Sequence, residues 1–545
     1  MEGMHMKKSF RTGLIVWVIL SLAAVGCGAD GGQKAESPDQ QVLQLNVEQE
    51  PTSLDPALAF DFNSMDVVHS MFEGLMRLDE NEVPQPAAAK NVEVSDDKQT
   101  YTFTLRDGLK WSNGEKLTAQ DFEYAWKRVL DPETGSPAAF LLFFIENAEE
   151  YNSGGADADQ VGVEALDEKT LKVKLGQPTP FFKQLVCYTV YSPVYQNGVE
   201  KEKNAFSNAE SFVGNGAFKM EKWKHDDRIK VVKNENYWQA DRVKLDGIHW
   251  AMSAEEATAY QQYKSGEFHM LYDTSIPPEL KSSLIQKGEV KVTPGSGLEF
   301  FRFNVDKEPF NNKKIRRAFA LAVDRQSIVN HVIQGQEKPA LAYVPPGVKT
   351  EVGDFREKGG NILKDARYEE AKKLLKEGME EEGWDKLPEV TLLYSTSDKN
   401  KEQAEAIQEM YREHLDVSIK LQNQESKVFF ENQRNKNYQF SRSSFLADYN
   451  DPYNYLESFQ TDHPVNRTNW SDEKYDELLE KAYQEKDEIQ RLDYLHQAEE
   501  ILIEEAPIFP VYYYNDLILE KPKVKHLIRH QVGPNDYTFV EIEKK

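Results

Sequence analysis

VTLLYSTSDKNKEQAEAIQEMYREHLDVSIKL, residues 390–421, carries two hydrophobic periods in one run. Val390 to Tyr394 is a short apolar stretch of strand type, and Ala404, Ile407, Tyr411 and Leu415 then recur at helical spacing. Val417, Ile419 and Leu421 alternate with polar residues, which predicts a second strand over 417–421. Strand, helix and strand in that order require a crossover, so the two strands are predicted to run parallel with right-handed connection. The fold class that follows is α/β.

The same reading extends outward. Tyr101, Phe103 and Leu105 alternate with threonines, and Leu171, Val173 and Leu175 with lysines, as half-buried strands do. Ile315, Phe319, Ala322 and Val323 mark an amphipathic helix, residues 475–505 read as one helical pattern, and a strand over 508–519 closes the chain. With 545 residues, the chain is too long for one core, and two or three closely joined domains are expected.

Charge excludes some functions. The 92 acidic and 66 basic side chains leave a net charge of −26, the wrong sign for a nucleic-acid backbone or an anionic lipid surface. The 11 histidines are dispersed, and neither Cys27 nor Cys187 has a second cysteine at metal-ligand spacing, so no metal and no cofactor is expected. Counting alone permits a Cys27–Cys187 disulfide, although the position of Cys27 argues against it. No HExxH, GxSxG or phosphate-loop motif occurs, and the two SxxK matches, at Ser95 and Ser471, lie in polar stretches of turn or helix-start type. No catalytic residue is nominated.

The first segment is read as an address. Lys7, Lys8 and Arg11 precede the apolar run from Leu14 to Leu20, and small residues lead to Cys27, as in a secretory signal. The ending Ala23-Ala24-Val25-Gly26-Cys27 resembles a bacterial lipobox, with Ala24 where leucine is usual. That resemblance implies lipidation of Cys27; the alternative is a soluble secreted protein whose cysteine lies near the cleavage site. Residues 28–41 have no apolar period and read as a flexible tether with a reach of roughly 20 Å.

Five blocks along the chain resemble the peptide-binding, extracytoplasmic solute-binding subunits of bacterial ABC importers. They are Pro51-Thr52-Ser53-Leu54-Asp55-Pro56 with Phe72-Glu73-Gly74-Leu75, residues 105–128 from Leu105-Arg106-Asp107-Gly108 to Trp126-Lys127-Arg128, and Val213-Gly214-Asn215-Gly216 with Asn236-Tyr237-Trp238. Residues 304–325 and Ala447-Asp448-Tyr449-Asn450-Asp451-Pro452 complete the set in family order. The resemblance implies a two-lobed, periplasmic-binding-protein-like fold with a hinge and an additional smaller domain. The boundaries it suggests are a signal peptide over 1–26, lipidated cysteine and tether over 27–41, one lobe from 42–62, 191–297 and 516–545, the additional domain over 63–190, and the second lobe over 298–515. It also implies an extracytoplasmic, lipid-anchored monomer that binds short peptides and passes them to a membrane permease.

The resemblance carries site residues too. Asp448 matches the family aspartate that accepts a peptide's α-ammonium group, against the alternative of a local Asx turn. Arg442 matches an arginine that reaches the peptide carboxylate, as its planar fork allows, or else is a solvent-facing strand residue. Phe445 stands where the family often has tryptophan, to pack on the ligand's first side chain or to join the core. Lys307 corresponds to a lysine used for longer peptides and Glu50 to an acidic cleft residue. Asn400 replaces a histidine that some members direct at the ligand carboxylate. Asp451, immediately before Pro452, is read as a helix cap. Gly214 and Gly216 are read as turn or cleft-wall residues with unusual backbone angles. Other expectations for the same scaffold are a murein or signalling peptide, a sugar or a nickel chelate; from other classes, a surface hydrolase, a chaperone or an adhesin.

Overall fold

The computed structural model describes residues 41–544 apart from 203 and 351. The signal, Cys27 and nearly all of the tether lie outside the described residues. Among the described residues no helix is long and apolar enough to cross a membrane.

Three main sheets organise residues 41–544. The first has the order Val42–Val47, Gly247–Met252, Arg228–Lys233, Phe218–Lys224; its opening pair is parallel and the others antiparallel. Leu43, Leu45, Ile229, Val231, Ile248 and Trp250 fill its buried face, as alternation demands. The second is a small antiparallel sheet of Ala89–Val94, Thr100–Leu105, Thr170–Lys174 and Val163–Ala165. Its inward residues Tyr101, Phe103, Leu171 and Val173 are buried, as their alternation predicts. Ser95 and Lys98 of one SxxK match form the turn that joins its first two strands.

The third sheet is mixed, with the order Met270–Tyr272, Ile508–Glu520, Lys291–Phe303, Phe440–Leu446, Thr391–Ser395, Lys420–Gln424. Thr391–Ser395 runs parallel to Lys420–Gln424, and helix Asp398–Leu415 connects them. The second strand begins later than the alternation predicts. Asp416 turns the chain with a φ of 56°, and the Val417 amide bonds back to the Tyr411 carbonyl. Val417 and Ile419 therefore pack under the helix end, and the ladder starts at Lys420. The helical stretch 475–505 is two helices, Glu473–Gln484 and Glu488–Glu505, because Glu485 is extended and Asp487 caps the second through the Gln490 amide at 2.9 Å.

Lys291–Phe303 and Ile508–Glu520 are each 13 residues long and pair antiparallel, with register shifts between Pro294 and Leu298 and between Glu299 and Phe300. Leu517 and Leu519 at one end of this ribbon belong to one apolar core, whereas Phe301, Phe303, Phe509 and Val511 at the other end belong to another. The expected lobe boundaries at 297/298 and 515/516 fall inside these strands, so the connection there is paired backbone. The expected break at 62/63 falls inside helix Phe62–Met71, whose first turn is fixed by Asp61 accepting from the Ser64 amide at 2.9 Å.

Several of the sequence blocks meet through buried polar ties. Arg128 holds Asp55 with both arms of its fork, at 2.8 and 2.5 Å. Glu73 accepts from the Tyr237 hydroxyl at 2.5 Å and from the Trp238 indole at 2.6 Å. Gly214 and Gly216 are glycine for a reason other than backbone angle. A Cβ at either would sit 2.2 Å or 2.5 Å from the Met71 carbonyl group, at the end of helix Phe62–Met71. They permit close approach.

Candidate functional site

Strand Phe440–Leu446 is bordered unequally. Lys291–Phe303 pairs with it from Phe303↔Phe440 to Gly297↔Leu446. On its other side Thr391–Ser395 pairs only through Leu392↔Phe440 and Leu393↔Ser441. Beyond Ser441 that edge has no strand partner among the described residues, and Ser444 and Leu446 are exposed. An open edge of backbone N–H and C=O groups is a template for an extended chain.

Asp448 stands just past this edge. Its amide donates to Asn454 Oδ1 at 2.9 Å, and Asn454 Nδ2 donates to Glu457 Oε1 at 3.1 Å. Burial pushes the Asp448 carboxyl above the usual carboxylate range, partly offset by its hydrogen bond with Asn454. Burial likewise lifts Glu457 to about 7, against hydrogen bonds from Tyr449 and Asn454 and with added repulsion from Asp448 and Asp451. Among the described residues no cation pairs with Asp448 or Glu457. Two carboxyls held above their ordinary range in one place favour a positive group. Asp451, by contrast, accepts from the Tyr453 amide and from Arg491, and caps helix Pro452–Glu457.

Arg442 is neither solvent-facing nor free. Its Nε and Nη2 hold both oxygens of Glu299 at 2.5 and 2.6 Å, and Tyr514 donates to the same carboxylate at 2.6 Å. Burial lowers the Arg442 guanidinium's affinity for its proton, but Glu299 more than reverses this and leaves it above its usual range. The fork expected to take a ligand carboxylate thus already holds one from the protein. Glu299 is fully buried and was missed from sequence, although a lone carboxylate inside the apolar run Leu298-Glu299-Phe300-Phe301 was its signal.

Phe445 points to the face opposite Arg442, because side chains alternate along a strand. Its ring packs on Tyr455 and Tyr343, with centroids 5.2 and 6.3 Å away. Lys307 is exposed in the turn that follows Phe303, at the end of the strand pair away from Asp448. Glu50 accepts from Trp223 Nε1 and the Asp226 amide, both at 2.8 Å, and lies 2.8 Å from His225 Nδ1. It ties the turn between strands Phe218–Lys224 and Arg228–Lys233. Asn400, in place of histidine, turns inward and donates to Ser395. Of the expected residues, Arg442, Phe445 and Asp448 thus share one strand and its exit, while Lys307 and Glu50 stand apart.

A cavity of about 660 Å³ lies against the ribbon, lined by Thr293, Ser296 and Asp516 and by the acidic side chains of Glu48, Asp61 and Glu82. It abuts the Asp448 segment, since the Ser296 carbonyl accepts from the Ala447 amide at 3.1 Å and from Tyr455 at 2.8 Å. Among the described residues no group of histidine, cysteine or acidic side chains is arranged to hold a metal ion.

Residues 83–467 match the family model of bacterial extracellular solute-binding proteins, family 5. The chain belongs to this family. Family-5 relatives include the dipeptide-binding protein DppE of Bacillus subtilis, 45% identical over 98% of this chain and 99% of its own length. The oligopeptide-binding protein OppA of the same organism is 38% identical, over 95% of this chain and 96% of its own. Among solved structures, the unliganded open form of the periplasmic murein tripeptide binding protein MppA superposes with a TM-score of 0.81 at 31% identity, covering 92% of this chain and 98% of that one. Listeria monocytogenes OppA bound to peptide gives 0.71 at 30% identity, covering 93% and 100%. The two-lobed α/β architecture with a smaller additional domain is that of these periplasmic peptide-binding proteins, and the better superposition is on the open, unliganded form.

Proposed function

We propose that this family-5 protein captures short peptides outside the cytoplasmic membrane and delivers them to an ABC permease. The observation that carries the reading is the open edge beyond Ser441 ending on Asp448, a carboxylate without a cationic partner among the described residues. A peptide laid along the edge bonds through its main chain, which all peptides share, and brings its α-ammonium group to Asp448. The adjacent cavity carries more carboxyls, among them Glu48, Asp61, Glu82 and Asp516, than cations, Lys349 and Arg529, and this excess favours the same cationic end. The names of the relatives, dipeptide- and oligopeptide-binding proteins, support the class of ligand. Arg442 is assigned a positioning role through Glu299, and the lobe and domain boundaries are proposed as the sequence suggests them.

Calorimetry on four combinations tests the site: the native chain and Asp448→Ala, each with a free and an N-acetylated short peptide. Breaking a desolvated charge pair costs about 3–5 kcal/mol, roughly a hundred- to several-thousand-fold in Kd. Asp448→Ala and acetylation should each produce that loss, and together little more than either alone. Tight binding of acetylated peptide by the native chain would refute the assignment. Anchoring through lipidated Cys27 belongs to the same proposal. Cys27→Ala should block processing or release the protein to the medium, and normal processing with membrane retention would count against it.

A further inference from the structure

The buried arginines among the described residues are Arg302, Arg316, Arg325, Arg356 and Arg491. Four donate to oxygen acceptors that carry charge or a strong dipole, although the Arg491 Nε has no partner among the described residues. Arg316 donates to the carbonyls of Phe310 and Glu505, Arg325 to Asp365 and the Pro510 carbonyl, Arg356 to Glu499 and the Val344 carbonyl, and Arg491 to Asp451 and Glu488. Arg302 differs. It donates through Nη2 to the Ser443 hydroxyl and touches the Tyr438 hydroxyl, and its Nε and Nη1 have no partner among the described residues. The Phe300 ring, 5.2 Å from its guanidinium carbon, is a partial compensation only.

Two more guanidiniums gather at the same place. Arg467 is half-buried, donates through Nη1 to Gln433 Oε1 at 3.3 Å, and leaves its Nε without a partner. Its pKa is depressed by burial and then by the positive charges of Arg302 and Arg434. Arg434 is exposed at the end of helix Ser426–Arg434. No carboxylate pairs with any of the three among the described residues. In a chain with 92 acidic side chains this is not for want of acids. A guanidinium buried without an anion is costly, and three that repel one another compound the cost.

We propose that Arg302, Arg467 and Arg434 form a binding site for a multiply charged oxyanion of the phosphate class. Arg302 forms its floor, Arg467 its wall and Arg434 its mouth, a graded path from solvent to the buried cation. The guanidinium fork matches the paired oxygens of such an anion, and the Tyr438 and Ser443 hydroxyls complete a polar floor. Arg302 faces Ser441 on the neighbouring strand, seven residues before Asp448, which places the site roughly 20 Å along the strand from the ammonium end. It lies where the open edge begins, at the end opposite Asp448, since Gln433, which accepts from Arg467, donates to the Arg442 carbonyl.

The test titrates inorganic phosphate into the full chain in a chloride buffer and reads binding by calorimetry, with potassium chloride at matched ionic strength as the reference. Saturable binding to the native chain is expected, weakened at least tenfold in Arg434→Gln and in Arg467→Gln. Both positions reach solvent, so neither variant should lose its fold. Arg412→Gln, which removes an exposed arginine paired with Glu409, should leave binding unchanged. Acetate, with one charge, should bind more weakly than phosphate. No saturable phosphate binding, an affinity in both arginine variants unchanged from the native chain, or a response reproduced by chloride would overturn the assignment.

Discussion

Where Gly297 faces Leu446, strand Phe440–Leu446 runs out to Asp448 and Glu457, carboxyls that lack a cation among the described residues. Where Arg302 faces Ser441, near the other end of the same strand, guanidiniums lack a carboxylate among the described residues. Between them Arg442 and Glu299 neutralise each other on a third patch of the same strand pair. The middle shows what this chain does when a charge on these strands has only a structural task. It supplies a bidentate partner and a tyrosine hydroxyl. The imbalance at the two ends is thus local, and local imbalance of buried charge is what a charged ligand relieves.

The comparison depends on an unpaired buried charge being expensive here, and Glu299→Gln measures that expense. Removing the carboxylate strands Arg442, and denaturant unfolding should show a loss of about 3–5 kcal/mol. A loss under about 0.5 kcal/mol would mean that these strands tolerate an uncompensated guanidinium, and the state of Arg302 would then carry no message.

A smaller effect is expected at the acidic end. The folded chain holds the Glu457 proton up to about 7, whereas the unfolded chain releases it near 4.5. The folded state binds the extra proton between those values, so this residue makes stability fall as pH rises through that window. Glu457→Gln keeps acceptors for Tyr449 and removes the titration. The variant should match the native chain below pH 4.5 and exceed it above pH 7, by up to about 3 kcal/mol. Parallel stability profiles for the two proteins would show that burial and the neighbouring carboxyls do not hold the Glu457 proton in the folded chain.

Much of the frame was legible from side-chain period. The helix Asp398–Leu415 and the parallel strands around it follow from the spacing of Ala404, Ile407 and Tyr411. The start of the second strand did not, because the alternation of Val417 and Ile419 serves the helix end as well as it would serve a sheet. Asp448 was legible only through its motif; its raised pKa and the open edge beside it depend on how few residues of Thr391–Ser395 reach Phe440–Leu446. Glu299 lies 143 residues from Arg442 in sequence, so no local pattern could join them. The structure sets Glu50 and Lys307 apart from strand Phe440–Leu446, and no local pattern could announce that either. Whether a charged side chain faces a cleft or caps a turn is settled by contacts distant in sequence.

The two long strands that pass between the apolar cores also limit how the protein can move. A hydrogen-bonded ribbon resists sliding, because a slip of one residue turns every side chain to the wrong face. It bends far more readily at a bulge, where the ladder is already interrupted, and the register shifts flank Leu298 and Glu299. Relative travel of the lobes is thereby reduced to something near a single rotation, like a door on its pin. A door of that kind returns to the same frame each time, so the groups that must meet across the opening arrive in register without any search.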